Sequence, residues 1–278
     1  MIEMEPGHRQ YQWMYKYVPF NPGSLCILTE GTMKFSSPFD FNDPFDCLPV
    51  YTRNLREIRK RNRKIIDRSI AHVNAGRKLS PGAKIQQRGK FARKMRKVIH
   101  TDEWHRNLLV GTGICSLSDI PDNILMWSHY AEFHRGFVVG FRVNWNETDP
   151  TRPHSSGLNL ITQEVTYSKH RPEVMFASDS NTEFLGKLLL TKALPWEYES
   201  EQRVIDMKRG PGIHPYKRDE LLGCVIAGAR MPAEHACELQ RIVRELRQTP
   251  ALSHLTFHQA TISHSDYKID IPDFDNRL

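Results

Sequence analysis

Short runs of β-branched and aromatic residues recur along this chain, and helical patterns separate only some of them. Bounded by Gly, Pro, Asn and Asp, such runs read as strands. They fall at residues 14–20, 32–37, 108–116, 137–141, 164–167, 203–205, 224–228, 256–262 and 267–271. Apolar residues at helical spacing mark residues 25–29, 122–131, 184–191 and 234–247, the last with Cys237, Leu239, Ile242, Val243 and Leu246 on one side. A doubly wound parallel sheet needs strands and helices in strict alternation, which this order lacks, so the pattern predicts an α+β fold.

The 278 residues suffice for a substantial core without metal or disulfide staples, and they read as a single catalytic domain over 1–278. Within it, residues 53–105 stand apart as a basic helical insertion. Glu57 and Asp67 are its only acidic residues up to position 100, against a dense series of Lys and Arg. Ile58, Ile65, Ile66 and Ile70, then Phe91, Met95 and Ile99, predict two amphipathic helices there, split around Asn74-Ala75-Gly76 and Ser80-Pro81-Gly82. Such an imbalance fits contact with a phosphate backbone as well as it fits a solvated insertion. The whole chain carries a formal charge of +7, which favours polyanionic partners. Its five cysteines are scattered, with no CxxC pair, which points to a reducing cytoplasm and away from a disulfide framework or zinc cluster. No signal-peptide core and no membrane-spanning apolar run is present, so no membrane partner is expected.

Walker, GxGxxG, HExxH and GxSxG motifs are all missing. Three clusters remain. Tyr15-Lys16-Tyr17 lies on the opening strand, where core aromatics flanking a surface lysine are the commoner arrangement. Cys115-Ser116-Leu117-Ser118 precedes Met126-Trp127-Ser128-His129-Tyr130, whose polar-tipped rings could face a pocket. Finally, Trp196-Glu197-Tyr198-Glu199-Ser200-Glu201-Gln202-Arg203 leads into an apolar run. In an extended chain Glu199 and Glu201 share a face, where like charges resist joint ionisation, although a solvated strand edge explains the same spacing. Asp40, Asp43 and Asp46, in a loop rich in Asn, Pro and Phe, leave open a metal-dependent nuclease or phosphodiesterase, and the basic stretch leaves open a noncatalytic nucleic-acid-binding module.

Together with Phe35-Ser36-Ser37-Pro38, Phe41-Asn42-Asp43-Pro44-Phe45-Asp46 and Gly136-Phe137, these segments resemble a bacterial family catalogued as a domain of unknown function. The likeness spans nearly the whole chain outside the basic insertion. More distantly, the layout is similar to the ADP-ribosyltransferase superfamily. That resemblance implies a split β-sheet core and NAD as the group donor. It places Lys16 or Tyr17 at a position where the superfamily has His or Arg, and Tyr130 under the nicotinamide. It makes Glu201 the catalytic carboxylate, with Glu199 handling the acceptor. Ser36, Asn42 and His129 join Lys16, Tyr17 and Tyr130 as cofactor-binding candidates. With the charge, it implies a toxin or phage-defence effector that modifies nucleic acid, RNA before DNA, and it leaves open an antitoxin or chaperone partner.

Overall fold

The computed structural model describes residues 11–52, 80–101, 103–144, 157–175 and 181–274. Its elements, in chain order, are β1 (Tyr11–Val18), α1 (Pro22–Thr29), β2 (Thr32–Phe35), β3 (Val50–Thr52), α2 (Pro81–Thr101), α3 (Glu103–Val110), β4 (Gly113–Ser118), α4 (Ile124–Tyr130), β5 (Phe137–Asn144), β6 (Gln163–Glu164), β7 (Thr166–Ser168), β8 (Glu173–Met175), α5 (Asn181–Leu189) and β9 (Thr191–Ala193). A 3-10 turn (Leu194–Glu199) then leads into β10 (Glu201–Asp206), β11 (Gly212–Pro215), α6 (Arg218–Leu221), β12 (Leu222–Ala227), α7 (Ala233–Leu246), β13 (Thr256–Gln259), β14 (Thr261–Ile262) and β15 (Ile269–Asp270). The chain is a mixed α and β protein of the α+β kind.

Contacts divide it into two units. The first takes residues 1–40, 112–165 and 194–278 and holds a curled seven-stranded sheet in the order β13-β12-β5-β1-β4-β10-β6. Its neighbours are antiparallel except β12 with β13. β1 and β5 pair along eight residues, whereas β1 meets β4 at one pair, Tyr15 opposite Ser118.

Strand alternation gives the sheet two unlike faces. One carries Met14, Val18, Cys115, Leu117, Val139, Phe141, Val204 and Val225, covered by Leu239, Ile242 and Val243 of α7. The other carries Tyr15, Tyr17, Val138, Cys224 and Ile226, covered by Met126 and Trp127 of α4. Burial pushes the Cys224 thiol up to about 12, so this cysteine packs as an apolar side chain. β12 is buried at all six positions, which is why its run is continuously apolar rather than alternating.

The second unit, residues 41–111 and 166–193, is wider than the insertion expected at 53–105. It draws in the later segment because β3 pairs in parallel with β8, and within that segment β7 pairs in parallel with β9. Asp46 and Lys192 form a buried ion pair at 4.0 Å, and Arg171 donates to the carbonyls of Leu48 and Pro49 at 2.6 and 3.0 Å. Asp43 Oδ1 accepts the Phe45 N–H at 2.8 Å, an Asx turn that gives the Asp-rich loop a structural job. Of the two basic helices, the first lies outside the described residues, and the second is α2, 21 residues long.

Two expected strands change on folding. Residues 108–110 finish the helix α3, which buries Leu109 before Gly111, so the apolar run expected as one strand is half helix and half β4. Short apolar runs carry too little periodicity to separate the two states. More consequentially, Glu199 does not lie on a strand with Glu201. It ends the 3-10 turn that opens at Leu194-Pro195, and Ser200, at φ 41°, breaks the backbone between the two glutamates.

Candidate active site

That break sends the two carboxylates to different partners. Glu201 opens β10, opposite Ser118 of β4, which is itself opposite Tyr15 of β1, so these three residues share the face bearing Trp127. Two residues on, Arg203 points the same way and closes on Glu201 as a fork, Nε to Oε1 at 2.9 Å and Nη2 to Oε2 at 3.0 Å. Both side chains are buried, 3% exposed for the glutamate and 0% for the arginine. A carboxylate held on both oxygens in this way is fixed in place.

Glu199 turns instead toward α4. Its Oε1 accepts the Tyr130 hydroxyl at 2.5 Å across 69 residues of sequence, and it is 4% exposed. The turn that carries it is pinned from both sides. Ser118 donates to the Glu199 carbonyl at 2.7 Å, and the Asn123 amide donates to the Tyr198 carbonyl at 2.9 Å. His129 Nδ1 lies 3.0 Å from the Tyr198 hydroxyl, which ties the exposed end of α4 to the same turn.

α4 is positioned by its own sequence. Asn123 caps it, accepting from the N–H groups of Leu125 and Met126 at 2.9 and 3.2 Å. The preceding loop is clamped by two ring donors, Tyr17 to the Ile120 carbonyl at 2.7 Å and Trp127 to the Pro121 carbonyl at 2.9 Å. After the helix, Glu132, Phe133 and His134 take positive φ of 51°, 57° and 68°, a left-handed turn uncommon for non-glycine residues.

The expected site residues therefore separate into groups. Tyr130 and Glu199 touch, His129 joins them through Tyr198, and Tyr17 and Glu201 lie on the same sheet face. Lys16 lies on the opposite face from Tyr15 and Tyr17, its Nζ donating to the Ser116 carbonyl at 2.7 Å. Ser36 pairs with Ile114 at the far end of β4, about 13 Å along the strand from Ser118 at ~3.3 Å per residue. Asn42 is an exposed residue of the second unit. Arg203, Tyr198 and Asn123 were not singled out by sequence. An Arg two places after Glu201 is the one cue that a fork could form, and it becomes informative only once both are known to be buried.

Among the described residues, no group of three or more His, Cys, Asp or Glu is placed to hold a metal ion, so the aspartate loop offers no metal centre there. Likewise no helix among them is long and apolar enough to cross a membrane. Comparison with known proteins found no matching family, no matching curated protein and no matching solved structure.

Proposed function

We propose that the protein is an NAD-dependent ADP-ribosyltransferase with an ADP-ribosyltransferase-like sheet core, and that its acceptor is nucleic acid, RNA before DNA. The observation that carries the reading is the contact between Tyr130 and Glu199. Two residues from distant motifs, one expected beside nicotinamide and the other in the acidic pair, meet through a short charge-assisted hydrogen bond. NAD supplies a ribosyl group whose bond to nicotinamide breaks with positive charge growing on the ribose.

Glu199 takes the role of the carboxylate that opposes this charge, because it meets Tyr130, the residue expected beside the nicotinamide, whereas Glu201 is held by the Arg203 fork. A ribose hydroxyl shares the Glu199 carboxylate with the Tyr130 hydroxyl, which keeps that carboxylate in place, and the tyrosine ring lies beside a cationic nicotinamide. Glu201 and Arg203 set the start of β10 and so the place of the turn above it. The acceptor class rests on charge: α2 contains Lys84, Arg88, Lys90, Arg93, Lys94, Arg96 and Lys97 and no acidic residue. Incubation with labelled NAD and separate RNA, DNA and protein acceptors tests the reading. Label is expected on RNA; label on none of the three refutes a transferase, and label on protein alone refutes the acceptor.

A further inference from the structure

On the sheet face that carries Glu201, the aromatic side chains of β1 continue from Tyr15 to Trp13. Their planes are 12° apart with centroids 6.1 Å apart. Both lean over glycines of the neighbouring strands. A Cβ at Gly223 would stand 2.5 Å from Trp13 Cη2 and Cζ3, and one at Gly140 would stand 3.2 Å from Trp13 Cζ3 and from Tyr15 Cε1. Removal of two side chains thus lets two rings rest on the backbone of β5 and β12.

The polar atoms of these rings are the unusual part. Trp13 Nε1 and the Tyr15 hydroxyl are both buried, and neither has a hydrogen-bond partner among the described residues. Tyr15 as a whole is 1% exposed. Buried donors are nearly always paired, so two unpaired ones on adjacent rings point to a group that they serve. What lies against them is Phe274, its centroid 6.0 Å from Trp13 at 60° and 6.2 Å from Tyr15 at 70°. A phenyl ring offers aromatic contact and no acceptor in its plane.

Phe274 packs with Ile271 against the core on this face. It follows Asp273, whose φ of 57° is uncommon for a residue other than glycine, and His258 Nδ1 meets the Pro272 carbonyl at a long 3.4 Å. The His258 ring also edges against Phe274, with centroids 5.1 Å apart.

We infer that Trp13 and Tyr15 form a slot for a purine ring, the adenine of NAD, and that Phe274 competes for it as an internal occupant. A purine supplies what Phe274 lacks, ring nitrogens in the aromatic plane that accept from an indole N–H and a phenol O–H. Position agrees as well: Tyr15 and Glu201 stand two strands apart, about 10 Å at ~4.8 Å per strand, a span that a dinucleotide bridges from reacting ribose to adenine. The identity of the purine rests on the NAD reading above, whereas the slot and its occupant rest on the rings.

The test measures AMP binding by calorimetry to the full-length chain and to Phe274→Ala, with thermal unfolding as the check of fold. AMP is expected to bind Phe274→Ala about tenfold more tightly, equivalent to 1.4 kcal/mol. Adding Tyr15→Phe should remove most of that gain. Nicotinamide mononucleotide, which has no purine, should show no gain. Equal AMP affinity in the two folded proteins, or an equal gain for nicotinamide mononucleotide, overturns the slot. Where Phe274→Ala does not fold, Phe274→Leu carries the same comparison. Nicotinamide release from NAD, measured on the same samples, keeps the two claims apart. Release without an AMP gain overturns the slot alone, and an AMP gain without release leaves a purine-nucleotide slot while overturning the transferase.

Discussion

Glu201 and Glu199, separated by one residue, have opposite expected mutational signatures. Glu201→Gln leaves Arg203 fully buried without its carboxylate, and breaking a buried pair from one side costs about 3–5 kcal/mol. The expected outcome is a large loss of unfolding free energy in urea titration, with activity falling in step with the folded fraction. Tyr130→Phe removes the donor to Glu199 and keeps the ring. Loss of a hydrogen bond to a charged group costs about 1.5–3 kcal/mol, so turnover should fall by roughly 10–100-fold while the stacking ring, and with it the apparent affinity for NAD, changes little. The sequence placed both glutamates among the candidates, yet it assumed that they share a strand face. Pro195 and Ser200 overturned that assumption, because a 3-10 turn and one left-handed residue between two acidic side chains leave no periodic signal to read.

Among the elements, α4 shows how local sequence rules reach the site. Asn123 caps its N-terminus and also holds the Tyr198 carbonyl, so Asn123→Ala loses a cap, worth about 1 kcal/mol, and frees the turn that carries Glu199. A destabilisation of about 1–2 kcal/mol with a disproportionate drop in turnover is expected from paired melting and activity measurements. This helix, the aromatic opening strand and α7 were legible because their periodicity and cap chemistry are local. β3, β8 and β11 were not. Each is three or four residues long, and two of them exist because distant partners pair with them in parallel, β3 with β8 across more than a hundred residues of chain. Lys16 illustrates the same limit: adjacency to Tyr15 and Tyr17 suggested a shared site, and strand alternation placed it on the other face.

For the molecule as a whole, titration gives a signed prediction. Burial holds His134, His254 and His258 below the ordinary imidazole value, with Arg230 adding to the effect at His134 and Arg142 at His254. Since their folded values lie below the unfolded value near 6.5, the unfolded chain takes up protons first as the pH falls. Stability contributed by the neutral rings is present above about pH 6.5 and is lost progressively below it, so the melting temperature should drop between pH 7.5 and 5.5. At Asp206, burial raises the carboxyl but is outweighed by hydrogen bonds from the Arg209 N–H and side chain, and the net shift is downward. Its contribution is present above the usual carboxylate value near 3.9 and vanishes as pH falls through its lower folded value, so Asp206→Asn should destabilise at pH 7 and matter less near pH 2.

The central claim is that Glu199, met by Tyr130, is the carboxylate at which NAD is cleaved. Nicotinamide release from NAD, followed in the presence of RNA for the wild-type chain and Glu199→Gln, tests it most directly. The account predicts release by the wild type and a fall of about 10²–10³-fold in Glu199→Gln, measured on a variant whose melting curve shows it to be folded. Undiminished release by a folded Glu199→Gln, or no release by the wild type, would contradict it.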